Sequence, residues 1–353
     1  MNILIFAGCN DKKLISKISP ILDCDLVTTV YLVRNSKLDF THPKLKQYPT
    51  LKLFRKIMPL REINRLINGI LILLTKKIDV LLGIHFRMHC IYTYFLAKLF
   101  RKKYIFLLIE SPMKYKKPNT LIKMLKGASL IGVRGNKSKQ YLVNLGVPEN
   151  KFFIPQNEFE LPAVVFGKER KIYDLIYIGN FIDEKDLPLW VNVAEEVKKI
   201  QENVSAVMLG DGRRWKMIER MINEKGLKED IKLVGRISDI YPYIDKSKIL
   251  LMTSKSEGLP MVAVEAMSIK VPCVLPDVGD ISDLIADGVN GRLITTRNPK
   301  DYADAIVSLL KDENKYKEIS QKAYESIKQM ANESTHDKIV KLWQSKLKDI
   351  LNK

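Results

Sequence analysis

The sequence predicts an α/β protein made of two tandem Rossmann-like doubly wound domains with an interdomain cleft, and three observations lead there. The chain has 353 residues, and single hydrophobic cores stop growing beyond roughly 250–300 residues, so two domains are expected. Short runs of Ile, Val and Leu recur between amphipathic stretches and are continuous rather than alternating, which marks strands covered on both faces. The runs fall into two series, and strands that alternate with helices build parallel sheets through right-handed crossovers.

The first series occupies 2–7, 25–33, 79–83, 104–109 and 129–133, with helix-like segments at 62–76, 90–100 and 137–145. Regularity fails between 156 and 171, around Pro162, Gly167 and the cluster Lys168-Glu-Arg-Lys171. This predicts an N-terminal domain over 1–160, a linker over 161–171 and a C-terminal domain over 172–330. The second series occupies 174–179, 204–210, 231–235, 248–252, 272–275 and 292–294, with helices at 188–199, 214–225, 260–269 and 299–310. Two further helical patterns fill 315–351, and the terminal one, within 331–353, is expected to reach back to the N-terminal domain. Ligands of doubly wound sheets bind outside the carboxyl ends of the strands, so the cleft between the domains is the expected site.

Composition narrows the class. With 46% hydrophobic and 8% aromatic residues the chain is neither disordered nor collagen-like. It carries 59 Lys+Arg against 40 Asp+Glu, a net +19. Nearly all of the excess lies in residues 1–160, which hold 28 basic and 10 acidic residues against 31 and 30 in 161–353. So lopsided a charge predicts an anionic partner for the first half. Cys9, Cys24, Cys90 and Cys273 have no C-x-x-C spacing and read as reduced thiols. The apolar start, Met1 to Gly8, lacks the basic leader of a signal peptide, and the run from Leu66 to Leu74, broken by Asn68 and Gly69, is far short of the ~20 residues of a spanning helix. A cytoplasmic protein is expected.

The most informative stretch is Ser254-Lys-Ser-Glu257-Gly-Leu-Pro260-Met-Val-Ala-Val-Glu265. It follows a buried run, turns at Gly258 and opens a helix with Pro260 as its expected first residue. A helix N-terminus carries about half a positive charge and unpaired N–H donors, which suit a diphosphate. Glu257 precedes that terminus, and Glu265 lies on the order of 8 Å along the helix axis. Two carboxylates flanking an anion site can each accept hydrogen bonds from sugar hydroxyls.

Together with Tyr177-Ile-Gly179, Leu209-Gly-Asp-Gly212, Leu233-Val-Gly-Arg236 and Asp287-Gly-Val-Asn-Gly291, in that order, the Glu-x7-Glu block resembles the family 4 (group 1) retaining glycosyltransferases of GT-B architecture. The resemblance implies a nucleotide diphosphate sugar as donor, retention of anomeric configuration, and no metal or cofactor. By position Glu257 resembles the carboxylate that holds the donor sugar and Glu265 the one that holds the ribose. Gly258, Leu259, Pro260, Met261 and Val262 would give backbone contacts, Gly210 would line the donor site, and Lys185 matches the lysine that neutralises the departing diphosphate. Gly8 and Asn10, in Phe6-Ala-Gly8-Cys-Asn10, resemble the first glycine loop, with one glycine where many relatives have two; the resemblance implies close backbone approach to the donor at Gly8 and to the acceptor at Asn10.

The chain departs from the family pattern in two places. Asn180 stands where an arginine is usual, leaving either a neutral hydrogen bond or compensation by Arg213, Arg214 or Arg236; for Arg236 a contact to the nucleotide base is the simpler role. Glu110-Ser111-Pro112 takes the place of a frequent histidine, so Glu110 either replaces it over the sugar or merely ends a strand. His85 and His89 have the i, i+4 spacing of a metal pair without a third ligand, and His85 is read as an acceptor-side contact instead. Asp23-Cys-Asp25 is read as a chance match to an Asp-x-Asp metal motif.

Finally, 51–61 and 113–118 interleave cations with Phe54, Ile57, Met58 and Tyr115, the mixture an interfacial segment needs. The expectation is a glycosyltransferase held peripherally at the inner membrane face by its basic N-terminal domain, acting on a glycan or lipid-linked envelope acceptor. The alternatives are a nucleotide-sugar epimerase of the same architecture and a basic nucleic-acid-binding protein. The latter lacks any recognised reading module, so no nucleic-acid partner is expected.

Overall fold

The computed structural model describes residues 1–85, 88–114, 119–162, 170–201 and 203–352. The chain divides into two compact units, Met1–Phe159 with Glu333–Lys353, and Glu160–Asn332. Of the expected linker, residues 163–169 lie outside the described residues, as do 115–118 of the second interleaved segment, Tyr115 included.

Unit 1 begins with β1 (Asn2–Ala7), α1 (Asp11–Leu22), β2 (Thr29–Arg34), β3 (Leu45–Pro49), α2 (Met58–Thr75) and β4 (Val80–Ile84). It continues with α3 (Met88–Leu99), β5 (Lys103–Leu107), α4 (Asn119–Lys126), β6 (Leu130–Gly132), α5 (Asn136–Asn144) and β7 (Phe152–Phe153). Unit 2 comprises β8 (Tyr173–Ile178), α6 (Leu187–Ile200), β9 (Ala206–Leu209), α7 (Trp215–Glu224), β10 (Ile231–Gly235), α8 (Tyr241–Asp245) and β11 (Ser247–Leu251). Then come α9 (Met261–Met267), β12 (Cys273–Pro276), β13 (Arg292–Ile294), α10 (Pro299–Lys311) and α11 (Glu313–Glu333). The last helix, α12 (His336–Leu351), belongs to unit 1.

Both sheets are parallel throughout, in the orders β3-β2-β1-β4-β5-β6-β7 and β10-β9-β8-β11-β12-β13. Each chain path runs outward from its first strand and then restarts on that strand's other side. The reversal falls between β1 and β4 in one unit and between β8 and β11 in the other, and a crevice for ligands opens at such a switch point.

Strand β1 shows why its run is continuously apolar. Ile3, Ile5 and Ala7 pack on one face with Leu14 and Ile18 of α1, while Leu4 and Phe6 pack on the other with Ile72 of α2 and Leu96 of α3. Helix α12 adds Ile339, Trp343, Leu347 and Ile350, a stripe at helical spacing, to the first of these layers. Trp343 meets Phe153 edge to face at 5.0 Å between centroids, and burying a side chain of this kind contributes roughly 1.5–3 kcal/mol.

The apolar runs do not announce β3 or α1. β3 is the sheet edge and half-exposed, so Leu45-Lys-Gln-Tyr-Pro need not be apolar, and Pro49 is tolerated there. In α1 the helical pattern is interrupted by Lys17, which is buried and donates to the Asn157 carboxamide, and by Pro20.

Candidate functional site

At the switch point of unit 2, the loops after β8 and β11 are stitched together. Thr253 Oγ1 donates to the carbonyls of Lys185 (3.2 Å) and Asp186 (3.0 Å), and the Lys255 N–H donates to the Glu184 carbonyl at 2.8 Å. Arg297 locks the same two loops: its guanidinium reaches the Asp186 carboxylate at 2.5 Å and the carbonyls of Thr253 (2.5 Å) and Ser254 (2.9 Å). Asp186 holds a left-handed φ of 46°, a strained conformation for a non-glycine residue.

This framework brings Lys185 and Glu257 together, the ammonium donating to the carboxylate, with both side chains largely buried. Beneath them Tyr177 donates its hydroxyl to the Asn180 carbonyl at 3.1 Å, and burial together with the Glu257 charge pushes its pKa up. Gly279 (φ 60°) fixes the Glu257 backbone from the loop after β12: a Cβ there would stand 1.8 Å from the Glu257 carbonyl oxygen.

Helix α9 starts at Met261, one residue later than the sequence reading has it. Pro260 keeps an extended ψ of 108° and serves as the cap, its carbonyl accepting from the Ala263 N–H at 3.1 Å. Gly258, Leu259, Met261 and Val262 are partly exposed around that cap, and Glu265 is half-buried one turn further on. Burial, followed by the Glu265 charge, raises the pKa of Tyr241 at the start of the neighbouring helix α8. Gly210 follows β9 and donates its N–H to the Gly235 carbonyl at 2.8 Å.

Asn180 is exposed at the position where the sequence comparison asks for a cation. Of the suggested substitutes, Arg213 and Arg214 are both engaged by Asp183, each at 2.5 Å, and the bond from Arg214 leads in holding that carboxyl below its usual range. Arg236 is exposed beyond β10 and makes no ion pair among the described residues. Arg297, Asp186, Thr253 and Tyr241 were not foreseen from the sequence. Each is isolated along the chain and enters the site only through the packing of neighbouring loops.

In unit 1 the switch point gathers Gly8, His85 and Glu110. His85 Nε2 lies 2.9 Å from Glu110 Oε1, and the histidine holds φ 75°, again a strained backbone. Asn10 is the N-cap of α1, its side chain accepting from the Lys13 N–H at 3.0 Å. That capping role accounts for Asn10 without a ligand. His89 turns away from His85: its Nε2 is 3.1 Å from Arg65 Nη1, and burial, followed by the Arg65 charge, lowers its pKa to about 4. Its ring lies directly behind Gly8, where a Cβ would come within 2.2 Å of Cε1. Asp23 is taken up by His42 (3.3 Å) and His336 (2.8 Å). No group of three possible metal-binding side chains is found among the described residues.

Comparison with known proteins gives this geometry a context. Residues 158–326 match the family described as glycosyl transferases group 1. The chain is 32% identical over 171 residues to a poly(ribitol-phosphate) alpha-N-acetylglucosaminyltransferase of Staphylococcus aureus, covering 48% of this chain and 35% of that one. It is 26% identical over 173 residues to the UDP-Gal:alpha-D-GlcNAc-diphosphoundecaprenol alpha-1,3-galactosyltransferase of Escherichia coli, covering 47% and 44%. The matched stretch thus spans less than half of either relative. The crystal structure of Anabaena HepE in complex with UDP-glucose superposes with a TM-score of 0.77 at 17% identity, covering 99% of both chains, a likeness that shows the GT-B fold.

Proposed function

We propose, for a chain whose residues 158–326 match the group 1 glycosyl transferases, transfer of a sugar with retention from a nucleotide diphosphate sugar to a lipid-linked or polysaccharide envelope acceptor. The observation that carries this reading is the Lys185–Glu257 pair, held at the carboxyl ends of β8 and β11 by the Thr253 and Arg297 hydrogen bonds. A preorganised cation beside a sugar-binding carboxylate, at a sheet's switch point, is what departure of a diphosphate requires.

In the proposed reaction the bond between the anomeric carbon and the diphosphate oxygen breaks. An acceptor hydroxyl oxygen bonds to the same face of that carbon, and its proton passes to the departing phosphate. Charge grows on the diphosphate as it leaves, so an oriented Lys185 stabilises the transition state more than the ground state. Glu257 accepts from the sugar hydroxyls and Glu265 from the ribose. Gly210 and the backbone from Gly258 to Val262 line the diphosphate path, and Arg236 takes the base. Asn180 gives a neutral hydrogen bond in place of a cation, about half as strong toward an anion, so Lys185 carries the larger share. Gly8 is assigned to the close backbone approach to the donor, Glu110 to a polar contact over the reacting sugar, and His85 to the acceptor side. The scheme uses neither a metal nor a resident cofactor.

The acceptor class rests on the polymer and lipid-linked substrates named for the two relatives. The proposed workplace is the cytoplasmic membrane face, with the protein bound peripherally; no described helix is long and apolar enough to cross a membrane. Because the matched family and both relatives are transferases, the nucleotide-sugar epimerase is the less supported reading.

A thermal-shift panel of nucleotide sugars tests the donor reading. A cognate donor at 100 times its dissociation constant stabilises by ~2.7 kcal/mol, and Glu265→Ala diminishes that response. A panel without any shift defeats the proposal. The anomeric configuration of the product, read by proton NMR, tests retention, and activity that survives a chelator tests metal independence.

A further inference from the structure

Helix α2 is apolar on its outer face as well as its inner one. Beside Ile72 and Leu73 it buries Glu62, Asn64 and Arg65, whereas Ile63, Ile67, Leu71 and Leu74 are exposed, Leu74 by 67%. Their spacing puts the four on one face. Helix α3 repeats the arrangement, exposing Ile91, Phe95 and Leu99 while burying His89 and Tyr92.

Glu62 and Arg65 have partners in the seam between the two helices, while Asn64 accepts from the Leu51 N–H at 3.2 Å. Arg65 Nη1 reaches Glu62 Oε2 at 3.0 Å, the Tyr92 hydroxyl donates to the same oxygen at 3.1 Å, and His89 faces Arg65. Pairing of this kind turns the apolar faces outward together, because the helices satisfy their polar groups against each other. Seven large apolar side chains on two neighbouring helices exceed the scattered exposure normal for a soluble surface, and such patches mark interaction sites.

The charge around the patch selects its occupant. Residues 40–109 hold fourteen Lys and Arg and only two acids, Glu62 and Asp79. Glu62 is buried in the seam, and Asp79 accepts from the Asn2 N–H at 2.7 Å. Lys52 and Lys56 are exposed just before α2, and Lys76 and Lys77 just after it, with Lys98 and Arg101 exposed at the end of α3. In the segment 51–61, Ile57 and Met58 are exposed by 52% and 62%, and Phe54 is half-buried. An apolar strip without exposed carboxylates, rimmed by cations at both ends, complements a bilayer in which acyl chains lie below a layer of phosphates.

We infer that the α2–α3 face is the surface by which this protein lies on an anionic lipid bilayer, with the Leu and Ile side chains at the acyl boundary and the lysines among the headgroup phosphates. The inference rests on the proposed membrane workplace and identifies the surface that serves it.

The test is co-sedimentation of the full chain with vesicles of phosphatidylcholine alone or with phosphatidylglycerol added. Wild type is expected to bind the anionic vesicles. Leu71→Glu/Phe95→Glu, both at exposed positions, weakens partition by at least about tenfold. Lys52→Gln/Lys56→Gln/Lys76→Gln weakens it by on the order of a hundredfold at low salt. Donor-induced thermal shifts, measured without vesicles, stay unchanged in both variants, so this inference can fail while the donor reading stands, and the reverse. Equal sedimentation of wild type and Leu71→Glu/Phe95→Glu overturns it. So does a wild-type dimer in light scattering that this variant dissolves, if wild type ignores vesicles, because the face then belongs to a second copy of the chain.

Discussion

The two units share one strand order and differ in what they show to solvent. Unit 1 holds 33 Lys and Arg against 12 Asp and Glu, unit 2 26 against 28. Among the described residues, sixteen of the large apolar side chains that stand exposed are in unit 1 and four in unit 2. Buried charge differs in kind as well. In unit 2, Lys185 and Glu257 meet at the strand ends where a ligand would bind. In unit 1, Glu62 and Arg65 meet between two helices and free the outer faces to be apolar. The same fold therefore carries a lysine–glutamate pair at the strand ends of unit 2 and a buried glutamate–arginine pair between two helices of unit 1. Doubly wound sheets allow this, since loops and outer helix faces vary without disturbing the strands.

The largest expected effect tests this division directly. Lys185→Ala lowers kcat by roughly 10²–10³-fold, as expected for loss of a transition-state charge partner, and leaves vesicle binding unchanged. If the variant also lost its membrane affinity, the separation of roles between the units would fail.

Next comes acid stability. His89 has its folded pKa lowered to about 4, against about 6.5 for an unperturbed histidine, so between those values the unfolded chain binds more protons. Its contribution is complete above pH ~6.5 and is lost as pH falls toward ~4, amounting to about 2–3 kcal/mol at pH 4.5. Urea midpoints of wild type should drop over this window more steeply than those of His89→Gln. Hydrogen exchange should locate the loss in unit 1; loss confined to unit 2 would contradict it.

Two glycines sharpen the contrast at equal chemistry. Gly279→Ala pushes a methyl into the Glu257 backbone and Gly8→Ala pushes one into the His89 ring. Each costs about 1–3 kcal/mol in a denaturant titration. Gly279→Ala is expected to reduce the donor-induced thermal shift through Glu257 and Gly8→Ala to reduce it less, through the glycine loop of unit 1; an unchanged shift in Gly8→Ala would remove that loop from the donor site.

The smallest effect belongs to His336 at the start of α12. Partial burial lowers its pKa, but hydrogen bonds to Asp23 and Glu158 outweigh this and raise it. The resulting stabilisation is present in full below pH ~6.5 and is lost as pH rises through the folded pKa. The pair is partly exposed, so the difference between wild type and His336→Gln should stay under about 1 kcal/mol. A difference growing with pH would have the wrong sign.

How far the sequence could be read follows from the range of the forces involved. Central strands such as β1, β8 and β11 are covered on both faces, so burial alone requires a legible run of Ile, Leu and Val. Edge strand β3 has no such requirement and left no mark. Glu257, Gly258, Pro260 and Glu265 sit within one loop and helix turn, where spacing is geometry. The pairing of His85 with Glu110, and of Arg297 with Asp186, joins residues far apart in sequence that are individually ordinary.

By itself, then, the sequence determined the two-fold α/β plan, the lopsided charge and the carboxylate spacing, because periodicity and composition act locally along the chain. Only the tertiary structure decided that Lys185 meets Glu257, that Arg213 and Arg214 answer to Asp183, and that α2 turns Leu71 and Leu74 outward. Those outcomes depend on which polar groups find partners across separate elements, and desolvation makes every unpaired one costly, so pairing in three dimensions settles the direction in which each face points.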